Sequence, residues 1–80
     1  MMQRFKQDMN IGINISKLRA GAGLTQEQVT AQMQIMGCNL SRSIYSQIEC
    51  GTYNIRISEL LAMKKIFKAE FEDFFEGLEI

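Results

Sequence analysis

Apolar residues recur along this chain at intervals of three and four, and the absence of Pro leaves punctuation to Gly and to capping residues. The pattern predicts an all-helical protein. Residues 1–9 have weak periodicity and read as an N-terminal arm. From Asn10, a candidate N-cap, Ile11, Ile15, Leu18 and Ala22 fall at helical spacing until Gly21-Ala22-Gly23 closes the segment. Thr25-Gln26-Glu27-Gln28 has the form of a capping box: the Thr hydroxyl accepts from the Gln28 backbone N–H, and the Gln28 side chain reaches back to the cap. Behind that start Val29, Met33 and Met36 share one face, and Gly37 suits a left-handed C-terminus.

Ser41 begins a third helix of only about two turns. Leu40 before it and Tyr45 within it are spaced as a hydrophobic staple, Tyr45 and Ile48 face inward, and Gly51 ends it. So short a helix needs tertiary packing to persist. Ser58 is the expected cap of a fourth helix whose apolar stripe is Leu60, Leu61, Met63 and Phe67. The fifth is expected over residues 70–78. There Phe71, Phe74, Phe75 and Leu78 stand at i, i+3, i+4 and i+7, with carboxylates between them. Packing against the fourth helix and a dimer seam are both open readings of these rings, and a core shared across a twofold axis satisfies both.

Composition narrows the chemistry. Eighty residues with 46% hydrophobic and 22% charged side chains can build one small core, and no tract has the low complexity of a disordered segment. No apolar run approaches the roughly 18 residues of a membrane span, and the first ten residues lack a signal-peptide core, so a cytoplasmic protein is expected. Without His, the mixed Cys/His zinc sets are excluded, and Cys38 and Cys50 are expected to be reduced, structural thiols. The same lack removes the commonest general base, and no Ser or Cys stands beside a partner, so neither an enzyme nor a cofactor site is expected. The formal net charge of zero hides an asymmetry. All nine Lys and Arg lie in residues 1–68 against four carboxylates (Asp8, Glu27, Glu49 and Glu59), whereas the last twelve residues carry five carboxylates and no cation. A basic body with an acidic C-terminal element fits an anionic partner, although a charge run also serves simply as a solvated face.

Two blocks carry a family resemblance. Leu18-Arg19-Ala20-Gly21-Ala22-Gly23-Leu24-Thr25-Gln26-Glu27-Gln28-Val29, followed by Ser41-Arg42-Ser43-Ile44-Tyr45-Ser46-Gln47-Ile48-Glu49-Cys50-Gly51, resembles the lambda-repressor-like helix-turn-helix family of XRE, Cro and repressor type. The resemblance covers residues 10–68. It implies a compact, all-α five-helix fold: a helix-turn-helix DNA-binding domain over 10–68, with the fifth, amphipathic helix within 69–80 serving packing or dimerisation. One departure is visible: the stretch from Ala31 to Leu40 is about five residues longer than the family's pattern, which extends the turn between the motif helices.

What the resemblance implies for single residues follows the family's docking geometry, in which the second motif helix reads base edges in the major groove. It makes residues 41–49 the recognition helix, with Arg42, Ser43 and Gln47 at base-reading positions, Arg42 suited to guanine and Gln47 to adenine. Ile44 is placed either against a thymine methyl group or in partial burial on Leu40. Gln26, at the start of its helix, is implied to bind phosphate together with the helix N-terminus, and Ser41, Tyr53, Asn54 and Arg56 are further backbone contacts. For Gln26 and Arg56 an ordinary solvated side chain is the competing reading. Arg19 and Glu49 match positions that form a partly buried ion pair joining the first helix to the recognition helix. The expected function is sequence-specific recognition of double-stranded DNA by a homodimeric transcriptional regulator, a bacterial or phage-type repressor. The alternative is an antitoxin or antirepressor-type module that keeps the scaffold and acts on a protein partner, to which Met33, Ile35 and Met36 offer either core filler or a sticky surface.

Overall fold

Local capping decides where most of the helices begin. The computed structural model describes residues 9–79, so the expected arm lies, Met9 apart, outside the described residues. Within them are five helices and no strand: α1 (Gly12–Gly21), α2 (Gln26–Ile35), α3 (Arg42–Cys50), α4 (Ile57–Phe67) and α5 (Phe71–Phe74). The Cα radius of gyration, 11.6 Å, matches the roughly 12 Å of a compact chain of this length.

Asn10 does contribute to the start of α1, through its side-chain oxygen, which accepts from the Gly12 N–H at 2.7 Å, while Ile11 occupies the cap position itself. The capping box at α2 forms as expected: Thr25 Oγ1 accepts from Gln28 N at 3.1 Å, and Gln28 Oε1 accepts from Thr25 N at 2.9 Å. Met36 and Gly37 end that helix, Gly37 with φ of 92°. Ser41 Oγ caps α3 by accepting from Ile44 N at 3.1 Å, and Gly51 closes it in the left-handed region.

Four expectations need correction. The cap of α4 is Arg56, not Ser58, because the Glu59 carboxylate reaches back to accept from the Arg56 N–H at 2.9 Å and so starts the helix two residues earlier. Leu61 stands 47% exposed, outside the stripe that Leu60, Met63 and Phe67 bury. The C-terminal helix is one turn, residues 71–74, rather than a helix through residue 78. Asn14 of α1 donates from Nδ2 to the carbonyls of Phe74 and Glu76, both at 2.9 Å, and Gly77 follows with φ of 81°, so this backbone turns instead of continuing. Finally, Cys50 is an exposed thiol, and only Cys38 is half-buried.

The core gathers one side from every helix. Ile15, Val29, Met33, Tyr45, Ile48, Met63 and Phe74 are fully buried, joined by Ile55 from the loop before α4. Each such aliphatic or aromatic side chain contributes about 1.5–3 kcal/mol relative to exposure, which is how helices of nine to eleven residues hold together. Phe67 and Phe74 stack with ring centroids 6.5 Å apart, joining α4 to α5.

Close backbone approach fixes α1 against the end of α3. Gly12 is buried, and a Cβ there would overlap the backbone carbonyl of Glu49. Gly51 packs on the Asn10 side chain in the same way. Both contacts seat the C-terminal end of α3, and therefore the direction in which its N-terminal turns project.

Candidate nucleic-acid interface

The exposed side of α3 is the amphipathic complement of its buried side. Tyr45 and Ile48 sink into the core, which turns Arg42, Ser43 and Gln47 outward, all exposed, with Ser46 half-buried beside them. These four residues and Gln26, from the first turn of α2, line an open groove of about 430 Å³. Among the described residues no carboxylate lines it. The N-terminal turn of α2 adds the partial positive charge of a helix start to the same groove. Arg42, Ser43 and Gln47 are therefore brought together on one accessible face. Ile44 is not fully with them: it is half-buried and packs against the core, in line with the burial reading.

A polar network anchors this face from behind. Arg19 of α1 donates from Nε to Glu49 Oε2 at 2.6 Å and from Nη2 to Oε1 at 3.1 Å, a two-pronged ion pair with α3. Its remaining arm, Nη1, donates to the Leu24 carbonyl at 2.9 Å in the turn before α2. Gln26 Nε2 then donates to Glu49 Oε1 at 3.0 Å. One carboxylate on α3 thus holds α1 and α2, and Arg19 carries the link on to the α1–α2 turn. Arg19 and Glu49 side chains are 19% and 8% exposed, so the pair is largely removed from water.

The charges reflect that placement. Burial alone pushes the Glu49 carboxyl up, but the donors facing it, Arg19 first, then the Tyr45 hydroxyl and Gln26, outweigh burial and hold it below the ordinary carboxylate value. The Glu49 hydrogen bond raises Arg19 in turn. Burial, reinforced by Glu49, pushes the Tyr45 hydroxyl far above the usual phenol range, so it stays neutral. That hydroxyl is fully enclosed and closes no hydrogen bond of good geometry.

The residues expected on phosphates divide into two groups. Ser41, Asn54 and Arg56 are exposed. Ser41 and Arg56 line one cavity of about 320 Å³ between the α2–α3 turn and the start of α4, so the N-cap of one helix and the cation at the start of the next face the same space. The Ser41 hydroxyl, an acceptor in its cap, keeps its proton to donate. Gln26 and Tyr53 are instead half-buried and engaged with carboxylates, Gln26 with Glu49 and Tyr53 through its hydroxyl, which donates to Glu59 Oε2 at 3.1 Å. Gln26 also lines the groove, and beyond its bond to Glu49 its amide carries an oxygen acceptor and a second N–H proton.

Sequence reasoning missed Asn14 and Ile55. Asn14 has the look of a solvated residue on α1, yet its two bonds, to the carbonyl of the last residue of α5 and to that of Glu76, fix where that helix ends. Ile55 was detectable from the alternation in Tyr53-Asn54-Ile55-Arg56, which drives Ile55 inward and Arg56 outward in an extended segment.

The expected dimer residues are also split. Phe74 is fully buried within the protomer and unavailable to a partner, Leu78 is half-buried, and Phe71 and Phe75 are each 44% exposed. Among the described residues no group of three or more His, Cys, Asp or Glu is placed to hold a metal ion, and no helix is long and apolar enough to cross a membrane. No protein-family model, curated protein or solved structure matches this chain.

Proposed function

We propose that this chain is a sequence-specific double-stranded DNA-binding transcriptional regulator, a repressor that reads the major groove with α3. The observation that carries the reading is the groove lined by Arg42, Ser43, Ser46, Gln47 and Gln26, free of carboxylates among the described residues and backed by the Arg19–Glu49 pair. An α-helix fits the major groove of B-DNA. Arg42 in the first turn of α3 supplies a two-pronged donor for guanine O6 and N7, and Gln47 supplies the donor and acceptor pair that adenine N6 and N7 require. Ser43 adds an adaptable hydroxyl between them. Ser41 and Arg56, beside that face, together with Asn54 and the N-terminus of α2, contribute phosphate contacts that set register without reading sequence.

A protein that works this way needs no cofactor, metal or catalytic group, and it acts by occupying its site. Two copies on a two-part operator double the sequence read and make the site pseudo-palindromic. Among the described residues, Arg42 lines this groove and Arg56 the cavity beside it, while Arg19 is engaged by Glu49. The alternative, a module acting chiefly on a protein partner, is favoured by a separate observation, the exposed apolar groove beside α4 and α5.

The test is enrichment of random duplexes on the immobilised protein, followed by dimethyl sulfate protection on the winning sequence. The expected result is a short consensus with guanine N7 protected in the major groove, and protection lost with Arg42→Ala. Failure of any sequence to enrich, or protection unchanged by that substitution, overturns the reading.

A further inference from the structure

Tyr45 is the odd member of the core, a fully buried ring on the inward side of α3 that carries a hydroxyl. Among the described residues that hydroxyl closes no hydrogen bond. A buried donor left unbonded costs stability that Phe, filling the same space, does not incur. The groups that act on the hydroxyl are the Glu49 carboxylate, four residues on and so one turn away along the same side of α3, and the Arg19 guanidinium paired with it. An orphaned donor thus stands beside the carboxylate that holds α1 and α2.

The acceptor sites of that carboxylate are unevenly taken. Each oxygen of an ionised carboxylate offers about two. Oε1 receives two donors, Arg19 Nη2 at 3.1 Å and Gln26 Nε2 at 3.0 Å, and is filled, whereas Oε2 receives Arg19 Nε at 2.6 Å. Arg19 is fixed by two prongs on Glu49 and a third bond to the Leu24 carbonyl. Gln26 holds Glu49 by one bond and also lines the groove with Arg42, Ser43, Ser46 and Gln47. It is therefore the donor that a ligand in the groove can draw away, and its departure opens a site on Oε1.

We propose that the Tyr45 hydroxyl is a donor held in reserve for Glu49: when DNA draws the Gln26 amide from Oε1, the hydroxyl takes the place that Gln26 leaves. The number of donors on Glu49 is the same before and after, so the two arrangements lie close in free energy and a modest preference of DNA for the freed amide tips the balance. Tyr45 touches no DNA and acts through Glu49 and Gln26, which makes it a positioning residue. The proposal rests on the DNA-binding reading for the ligand that draws Gln26 away, whereas the exchange on Glu49 is a property of the chain alone.

Two double-mutant cycles of Tyr45→Phe with Gln26→Ala test this. The first needs no DNA and follows urea unfolding by circular dichroism. With Gln26 present, Tyr45→Phe is expected to leave the unfolding constant unchanged or to lower it, because no bond is lost. With Gln26→Ala, where the hydroxyl has moved onto Glu49, the same substitution is expected to raise that constant by at least about tenfold, the effect of one hydrogen bond to a charged group. The second cycle measures anisotropy on the enriched duplex. Tyr45→Phe is expected to weaken binding by at least about tenfold when Gln26 is present and by less than about twofold in Gln26→Ala. An equal cost to stability in both backgrounds overturns the exchange on Glu49, and an affinity unchanged by Tyr45→Phe, or weakened equally with and without Gln26, overturns the release to DNA. Failure of any duplex to enrich overturns the DNA-binding reading and the release to DNA with it, while the unfolding cycle decides the exchange on Glu49 by itself.

Discussion

Substituting Glu49 by Ala strikes the point where three segments meet. The side chain is 8% exposed, accepts two hydrogen bonds from Arg19 and one from Gln26, and neutralises a guanidinium that is itself only 19% exposed. Breaking a fully buried pair by removing one partner costs about 3–5 kcal/mol, because the stranded charge stays buried, whereas exposed pairs contribute roughly 0–1 kcal/mol. The residual access of water to Arg19 places Glu49→Ala between these limits, at about 2–4 kcal/mol. For a chain of this size each kcal/mol lowers the melting temperature by roughly 4–8 °C, so a fall of about 10–25 °C is expected. Urea denaturation followed by circular dichroism on Glu49→Ala, Arg19→Ala and the double variant measures the coupling directly. The double variant is expected to cost little more than either single one, with a coupling energy of roughly 1–3 kcal/mol. Single variants costing under about 1 kcal/mol, or costs that simply add, would refute the view that this pair holds α3 in place.

Other consequences follow from the same contacts. Because Glu49 ionises below its ordinary value when folded, the unfolded chain binds that proton more tightly. Its contribution is therefore present above the usual carboxylate range, about pH 4.3, and is lost as pH falls through the lowered value; the urea midpoint should drop between pH 5 and 3, and less steeply in Glu49→Gln. Gly12→Ala places a methyl group on the Glu49 carbonyl and should destabilise by roughly 1–3 kcal/mol, whereas Gly21→Ala, with open space around it at the end of the same helix, should be neutral or stabilising by up to about 1 kcal/mol in a thermal melt. Ile15→Ala, at a fully buried site, should cost about 2–5 kcal/mol, and Ile13→Ala, 61% exposed two residues away, under about 0.5 kcal/mol; equal costs in chemical denaturation would contradict the assigned face of α1.

What was legible in the sequence was the chemistry that acts over one helical turn. Thr25 with Gln28, Ser41 with Ile44, and the left-handed glycines at 37 and 51 need only near neighbours to do their work, and each stands where the residue types require. The Arg19–Glu49 pair was legible only through the resemblance, since thirty residues separate its members. Where two local signals competed, the sequence was ambiguous: Ser58 and the Arg56–Glu59 pairing both mark a helix start, and the carboxylate bond to the Arg56 N–H prevails. The Phe pattern after residue 70 misled because helical spacing says nothing about whether a helix continues. Its end is set from outside by Asn14, about sixty residues earlier in the chain. Gln26 illustrates the same limit at the candidate site, for its place in the first turn of α2 was readable but its bond to Glu49 was not.

The most direct test of the central claim is fluorescence anisotropy of the unsubstituted protein and of Arg42→Ala on the enriched duplex and on random duplex, at the same salt concentration. Loss of a bidentate guanine contact amounts to about 1–3 kcal/mol. The account therefore predicts affinity for the enriched duplex weakened by roughly fivefold to more than a hundredfold, with only a small loss on random DNA. Equal weakening on both duplexes would reduce Arg42 to a phosphate contact, and no weakening on either would contradict readout by α3.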